Sequence, residues 1–369
     1  MVPTQGRTAA VLMSVSPIFD GHNDVVSRLL ADIRAGKSTS GTFRERGAEG
    51  HIDLPRAREG GFGGGLFSIY VPADPLAAPP AGPVLGEHNE KPVRFPRPLT
   101  LAYAQQTALA QLSLLFRLER ESEGHLRIVR NAAELRASMP EQKVAAVIHF
   151  EGAEAIDPAL DDLYVFHAMG LRSIGPVWSR PNDFGEGVPY LFPHSPDTGP
   201  GLTENGKALV RACNELGILV DVSHINEQGF WDIAKLSTAP LVATHSNAHA
   251  LVPTPRNLTD RQLDAIKDSG GIVGVNFALQ FLRDDGRDDP STPIAAIVEQ
   301  FRYLADRMGV EHVGFGGDLD GAQIPSDVGD VAGLPRVVSA LRACGFDDSA
   351  LEKICHRNWL RVLSQTWVG

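Results

Sequence analysis

Five short stretches of the 369-residue chain carry His, Asp and Glu at spacings that suit metal ligation and acid–base chemistry. They are Asp20-Gly21-His22-Asn23-Asp24, His149-Phe150-Glu151, Asp221-Val222-Ser223-His224, Thr244-His245-Ser246 and Gly317-Asp318-Leu319-Asp320-Gly321. His22 and Asp24 are two apart, so an extended backbone turns both to the same side. Imidazole mixed with carboxylate suits zinc best, with manganese, cobalt and iron as competitors. Each residue alone has a plainer reading. A His after a strand is commonly a hydrogen-bonded structural residue, Asp24 can cap a following helix, and residues 318–321 make a good turn. Five such endings in one chain favour a joint site.

Regular elements must bring these stretches together. β-Rich runs occur at residues 17–26, 64–71, 144–152, 171–178, 218–224, 241–246, 272–277 and 313–321, eight in all. Amphipathic segments fall between most of them, at 99–120, 160–169, 203–216, 227–236, 260–269 and 293–308. In the last, Ile294, Ile297, Val298, Phe301 and Leu304 recur at helical spacing, with Glu299, Arg302 and Asp306 opposite. Asn226, and Thr259 with Asp260, read as helix starts, while Gly217 and Gly270 read as stops. Eight strands alternating with helices predict an α/β fold closed as a (β/α)₈ TIM barrel. A doubly wound sheet is the alternative, but no G-x-G-x-x-G follows the first strand. Gly61-Phe62-Gly63-Gly64-Gly65 reads as a tight turn before the second strand. In a barrel all C-terminal strand ends open on one face, so stretches far apart in sequence meet there.

Residues 72–98 hold eight prolines without periodicity, and 179–200 are rich in Gly, Pro, Asn and Asp. Both read as irregular loop insertions over the barrel mouth. No repeat or linker interrupts the pattern, so residues 1–369 read as one barrel domain, with 347–368 as a C-terminal helical appendage.

Composition bounds the partners. A net charge of −11 and a pI near 5.5 argue against nucleic acid or an anionic membrane surface, both of which want a basic patch. The hydrophobic fraction of 43% supplies a large core. Cys213, Cys344 and Cys355 are odd in number with no C-x-x-C spacing, which points to a reducing compartment; Cys213 reads as a buried helical residue. Residues 1–16 hold one Arg and a short apolar stretch at 9–13, weak for a signal peptide, and no run approaches a membrane span. Cytoplasmic location and a small-molecule partner are expected; the sequence does not separate monomer from homodimer.

Taken in order, the five stretches, with Glu151-Gly152 and Thr244-His245-Ser246-Asn247-Ala248, resemble the membrane (renal) dipeptidase family, peptidase M19-like, of the amidohydrolase superfamily. The resemblance runs over nearly the whole chain. It implies two Zn²⁺ ions per chain, His22 and Asp24 on one and His224 and His245 on the other, bridged by Glu151 and a hydroxide. Relatives that use a carboxylated Lys at the fourth strand differ here, since this chain has no Lys there. Asp318 matches the superfamily's eighth-strand proton-transfer aspartate and is favoured over Asp320. Arg256 resembles the family arginine that grips a dipeptide's terminal carboxylate, and Tyr70 a family tyrosine at the mouth of the second strand. One departure stands out. Where mammalian members have a histidine that binds substrate or the tetrahedral intermediate, this chain has Trp178, which donates one hydrogen bond and carries no charge.

The chemistry implied is hydrolysis. A water held between two zinc ions becomes hydroxide near neutral pH and attacks the scissile carbonyl, while Asp318 moves the proton to the leaving amine. A metal-dependent dipeptidase is therefore expected, and the resemblance implies that a D-residue is tolerated at the second position. The alternatives are an amidohydrolase acting on another small amide, N-acyl amino acid or lactone, and a non-catalytic zinc-binding barrel. His149 and His249 read as supporting residues, and His194 as a surface histidine.

Overall fold

A computed structural model describes residues 16–78, 84–88, 90–139 and 143–367. The weak signal-peptide reading of the N-terminus falls on residues 1–15, which lie outside the described residues. Eight parallel strands form the wall of a barrel: β1 (Ile18–Asn23), β2 (Phe62–Tyr70), β3 (Val144–Glu151), β4 (Leu171–Gly175), β5 (Leu219–Val220), β6 (Val242–Ala243), β7 (Ile272–Val275) and β8 (Val313–Phe315). They are hydrogen-bonded in the order β5-β4-β3-β2-β1-β8-β7-β6. A parallel bridge between Asp221 and Val242 closes the remaining seam, with Val222 N–H donating to Val242 O at 2.8 Å. Each predicted β-run holds one strand, and the (β/α)₈ barrel is what the alternation predicts.

The strands are buried on both faces, as parallel strands under a layer of helices must be. β3, Val-Ala-Ala-Val-Ile-His-Phe-Glu, is buried at every position. All six predicted helices are present, at Leu101–Glu121, Asp161–Met169, Glu204–Leu216, Glu227–Leu236, Asp260–Asp268 and Ile294–Met308. Their ends follow the expected chemistry. Asn226 accepts from Gly229 N–H at 2.9 Å, Thr259 forms a capping box with Gln262, and Gly217 ends its helix at φ 66°.

Three local expectations are corrected. The first β-run stops at Asn23, and a helix, Val25–Arg34, begins at once. Asp24 sits at its N-cap position but makes no capping bond, because its carboxylate is turned to His22. The glycine run is not a turn; Gly63, Gly64 and Gly65 lie inside β2. There the absence of side chains lets strands approach: a Cβ on Gly64 (φ +147°) would stand 2.3 Å from Ala145 O. The two loop insertions are not wholly irregular either. Each carries a small antiparallel hairpin, Gly86–His88 with Lys91–Val93 and Pro181–Asn182 with Gly185–Glu186.

The C-terminal helices, Asp348–Glu352 and Asn358–Thr366, are joined by a π-helical turn, Lys353–Arg357, and close the barrel floor. Fully buried Trp359 donates from Nε1 to Phe315 O at 3.0 Å. It packs in one apolar cluster with Phe19, Leu66, Val147, Ile272 and Leu363. A Cβ on Gly21 would lie 2.5 Å from the Trp359 ring, so that small residue is what admits the indole. Cys213 is buried in its helix as expected, and all three thiols are free.

Candidate metal centre

Alternation along β1 and β3 sends His22, His149 and Glu151 inward, and His224 and His245 follow the short strands β5 and β6, in the segments that leave their C-terminal ends. The Glu151 carboxylate is the hub. Its Oε2 lies 3.4 Å from His22 Nε2, and its Oε1 lies 2.9 Å from His224 Nε2 and 3.7 Å from His245 Nε2. Asp24 Oδ2 is 3.1 Å from His22 Nε2. The ligand-type atoms fall into overlapping groups: His22, Asp24 and Glu151; Glu151, His224 and His245; and His22, His245 and Asp318, each within 4.8 Å. All five predicted ligands and Asp318 thus meet at the barrel mouth.

A row of supporting groups orients them. Asp221 accepts from the Ser223 and Thr244 N–H groups, both at 2.9 Å, and from the Thr244 hydroxyl at 2.6 Å. Since the Thr244 proton goes to Asp221, its oxygen must accept from His245 Nδ1, 2.8 Å away. That leaves a lone pair on His245 Nε2. His224 Nδ1 is likewise held by Ser179 Oγ at 2.8 Å. The two Nε2 atoms then face one another at 3.0 Å beside a carboxylate oxygen. Asp24 Oδ1 is buried without a hydrogen-bond partner. Such a convergence of acceptors fits a cation, with hydroxyl-backed imidazoles as its ligands.

The electrostatics of these side chains carry the same message. Burial pushes Glu151 up to about 7 and lifts Asp318 above the ordinary carboxylate range. Burial, then the cationic side chains of Arg256 and His22, holds His224 and His245 well below ordinary imidazole values. His22 moves the other way: burial opposes its charge, but Glu151 and Asp24 keep it well above its usual range. Burial thus drives Glu151, Asp318, His224 and His245 toward their neutral forms and leaves His22 charged among them, and bound cations would favour the carboxylate forms and the neutral imidazoles.

Asp318 and Asp320 have different surroundings. Asp318 accepts from Asn276 Nδ2 at 3.0 Å and faces Asp24 across Gly321, where a Cβ would meet both carboxylates. Asp320 accepts from His51 N–H at 2.6 Å and pairs with Arg28 Nε at 2.9 Å. His224, Asp318 and Asp320 all have positive φ, 66°, 56° and 68°, a strain concentrated at the strand ends that build the site.

A cavity of about 590 Å³ opens over the cluster, lined in part by Asp24, Glu151, His224 and Asp318. Tyr70 and Trp178 form one wall, their ring centroids 5.2 Å apart. Arg256 is not in that lining. It is buried beneath, with its Nη1 donating to Ser246 Oγ at 3.2 Å, its Nη2 to His245 O at 2.9 Å, and its Nε without a partner. His194 is on the surface, and His149 bonds Ser173 Oγ at 2.8 Å within the barrel.

Several supporting residues escaped the sequence reading. Ser68 donates to Glu151 Oε2 at 3.1 Å; as a polar residue two before Tyr70 in an apolar strand, it was visible as an inward position. Asn276 had the same signal at the end of β7. Tyr190, on the cavity wall, and the buried Arg180–Glu154 pair at 2.9 Å had none, because irregular loops have no period.

The family model for membrane dipeptidase, peptidase family M19, matches residues 6–367. A solved metallo peptidase from Rhodobacter sphaeroides, liganded with a phosphinate mimic of the dipeptide L-Ala-D-Ala, is 47% identical with a TM-score of 0.89, covering 96% of this chain and 100% of its own. A solved dipeptidase, AC, a metallo peptidase of family M19, is 48% identical with a TM-score of 0.88, covering 96% and 99%. An uncharacterized protein in the pqqA 5′ region of Klebsiella pneumoniae is 53% identical over 257 residues, 70% of this chain and 95% of its own. The cluster of ligands, the barrel that carries it and these likenesses agree: the chain belongs to the membrane dipeptidase family, peptidase family M19, and is a metal-dependent dipeptidase.

Proposed function

We propose that the chain cleaves L-D dipeptides with two zinc ions, one held by His22 and Asp24, the other by His224 and His245, and both by Glu151. The observation that carries this reading is the position of the Glu151 carboxylate, one oxygen toward His22 and the other toward His224 and His245. Ions bound there supply an acidified water and polarise the scissile carbonyl. The rest is done by side chains. Asp318 takes the proton that the attacking water releases and returns it to the leaving amine. Asn276 fixes one of its oxygens, and burial favours its protonated form, which the second half of that task needs.

Arg256, buried beneath the cavity with its Nε unpartnered, supplies positive charge toward the substrate's terminal carboxylate, and Tyr70 and Trp178 hold the apolar flank. The phosphinate L-Ala-D-Ala mimic bound by the Rhodobacter sphaeroides relative supports the L-D preference. Among the described residues no helix is long and apolar enough to cross a membrane, and with three free thiols we infer a cytoplasmic enzyme. The test is a panel of L-L and L-D dipeptides assayed with zinc-loaded protein, with N-acyl amino acids and lactones as controls. Turnover confined to dipeptides, fastest with L-D members, is expected. Turnover confined to the controls would point to the other amidohydrolase chemistry.

A further inference from the structure

Behind the aromatic wall of the cavity lies a charge that the reaction itself does not use. Arg180, in the loop that follows β4, is fully buried, and its Nε lies 2.9 Å from Glu154 Oε1. The Glu154 side chain is just as deeply enclosed. Its carboxylate sits against Gly152, where a Cβ would stand 2.1 Å from Oε2, so the glycine next to Glu151 is what makes room for it. Neither Arg180 nor Glu154 lines the cavity.

Arg180 ties three segments of the barrel mouth together. Its Nη2 donates to Val71 O, one residue past Tyr70, and its carboxylate partner stands three residues past Glu151. Its backbone N–H donates to Trp178 O at 2.7 Å. The guanidinium carbon is 4.8 Å from the centre of the Trp178 ring and 5.4 Å from that of Tyr70, the range of a cation against an aromatic face. A planar guanidinium can stack, pair and donate at once, which a point-like ammonium cannot. A buried ion pair is a poor stabiliser, because taking both charges out of water offsets their attraction. Its contact with the two rings that face the substrate gives this pair another use.

We propose that Arg180, held by Glu154, is a positioning residue that fixes the Tyr70–Trp178 wall and so sets which substrate side chains the cavity accepts. The inference rests on the L-D dipeptide reading of the same site. A wall held in place offers a large apolar side chain its contacts without further ordering, whereas a methyl group depends on them little. The metal ligands should be indifferent to the loss, since His224 has its own support from Ser179 Oγ at 2.8 Å.

The experiment compares wild type, Arg180→Met, Trp178→Ala and the double variant of the two on L-Ala-D-Ala, L-Phe-D-Ala and L-Ala-D-Phe. It measures metal content, kcat and KM. Arg180→Met should keep its metal and lose roughly 10-fold in kcat/KM on a phenylalanine dipeptide relative to L-Ala-D-Ala, mainly through KM. Arg180→Met with Glu154→Met, which leaves no unpaired buried charge, should show the same shift and supplies the measurement if the single variant does not fold. Adding Arg180→Met to Trp178→Ala should change selectivity no further, because both act through one wall. Equal losses on all three dipeptides, or none, would overturn the proposal. Loss of metal from the folded variants would overturn it too, by showing that Arg180 serves the metal centre. So would losses that multiply when Arg180→Met is added to Trp178→Ala. If wild type leaves all three dipeptides uncut, the L-D dipeptide reading fails instead, and the two failures are distinguishable.

Discussion

The two ends of the barrel are built by opposite rules. At the floor, Trp359, Phe19, Leu66, Val147 and Ile272 form an apolar plug in which the Trp359 indole donor is satisfied by Phe315 O. At the mouth, carboxylates and imidazoles crowd together at 2.9–3.7 Å, Asp24 Oδ1 has no partner, and three residues adopt positive φ. The floor satisfies its own polar groups, whereas the mouth has the chemistry of a cation site. Strain and unsatisfied charge collect where function is, and the closely packed end carries them.

The contrast can be broken first at the hub. Glu151→Gln should lower turnover by more than about 10³-fold and reduce bound metal, read by elemental analysis, while the fold survives. If the variant keeps both its metal and its turnover, Glu151 is no bridge. Asp318→Asn should keep its metal and lose roughly 10²- to 10⁴-fold in kcat, and a variant with normal kcat would remove Asp318 from proton transfer. Its neighbour serves as the control: Asp320→Asn, cut from Arg28, should cost far less turnover than Asp318→Asn.

The floor answers in a different quantity. Trp359→Ala should cost about 3–5 kcal/mol in denaturant unfolding, yet leave metal content and kcat per folded molecule near wild type. A comparable loss of kcat in the folded variant would mean that the two ends are coupled after all.

The smallest effect is one of pH. In the metal-free fold Glu151 titrates near 7 against an ordinary 4.5, and Asp20, raised by burial, titrates near 6. Groups raised in this way stabilise the metal-free fold most below their ordinary values and lose that contribution as pH rises through the folded values. Zinc binding runs the other way, since its ligands must lose their protons. The rise in melting temperature on adding zinc should therefore grow between about pH 5 and pH 8. A shift that is flat across that range would mean that these carboxyls do not carry the site's charge conflict.

The same contrast explains what the sequence made legible. Short β-rich runs marked the eight strands, and His22, Asp24, Glu151, His224, His245 and Asp318 stood out because charged residues at the ends of buried strands need a reason to be there. The C-terminal helices were legible as helices, but a local pattern cannot say that Trp359 fills the barrel floor behind Gly21. The glycine run in β2 was misread because its cause, close approach to Ala145, is a tertiary contact. Asp24 could be read as a cap until His22 was seen to hold its carboxylate. Tyr190 and Ser179 belong to a loop whose position is set by Phe281 and His224, residues distant in sequence.

The most direct test is a zinc titration of metal-free protein, following bound metal and L-D dipeptide turnover together. A bridged pair predicts that two equivalents bind and that turnover reaches its full value only as the second is taken up. Full turnover at one equivalent, with no further binding, would contradict it.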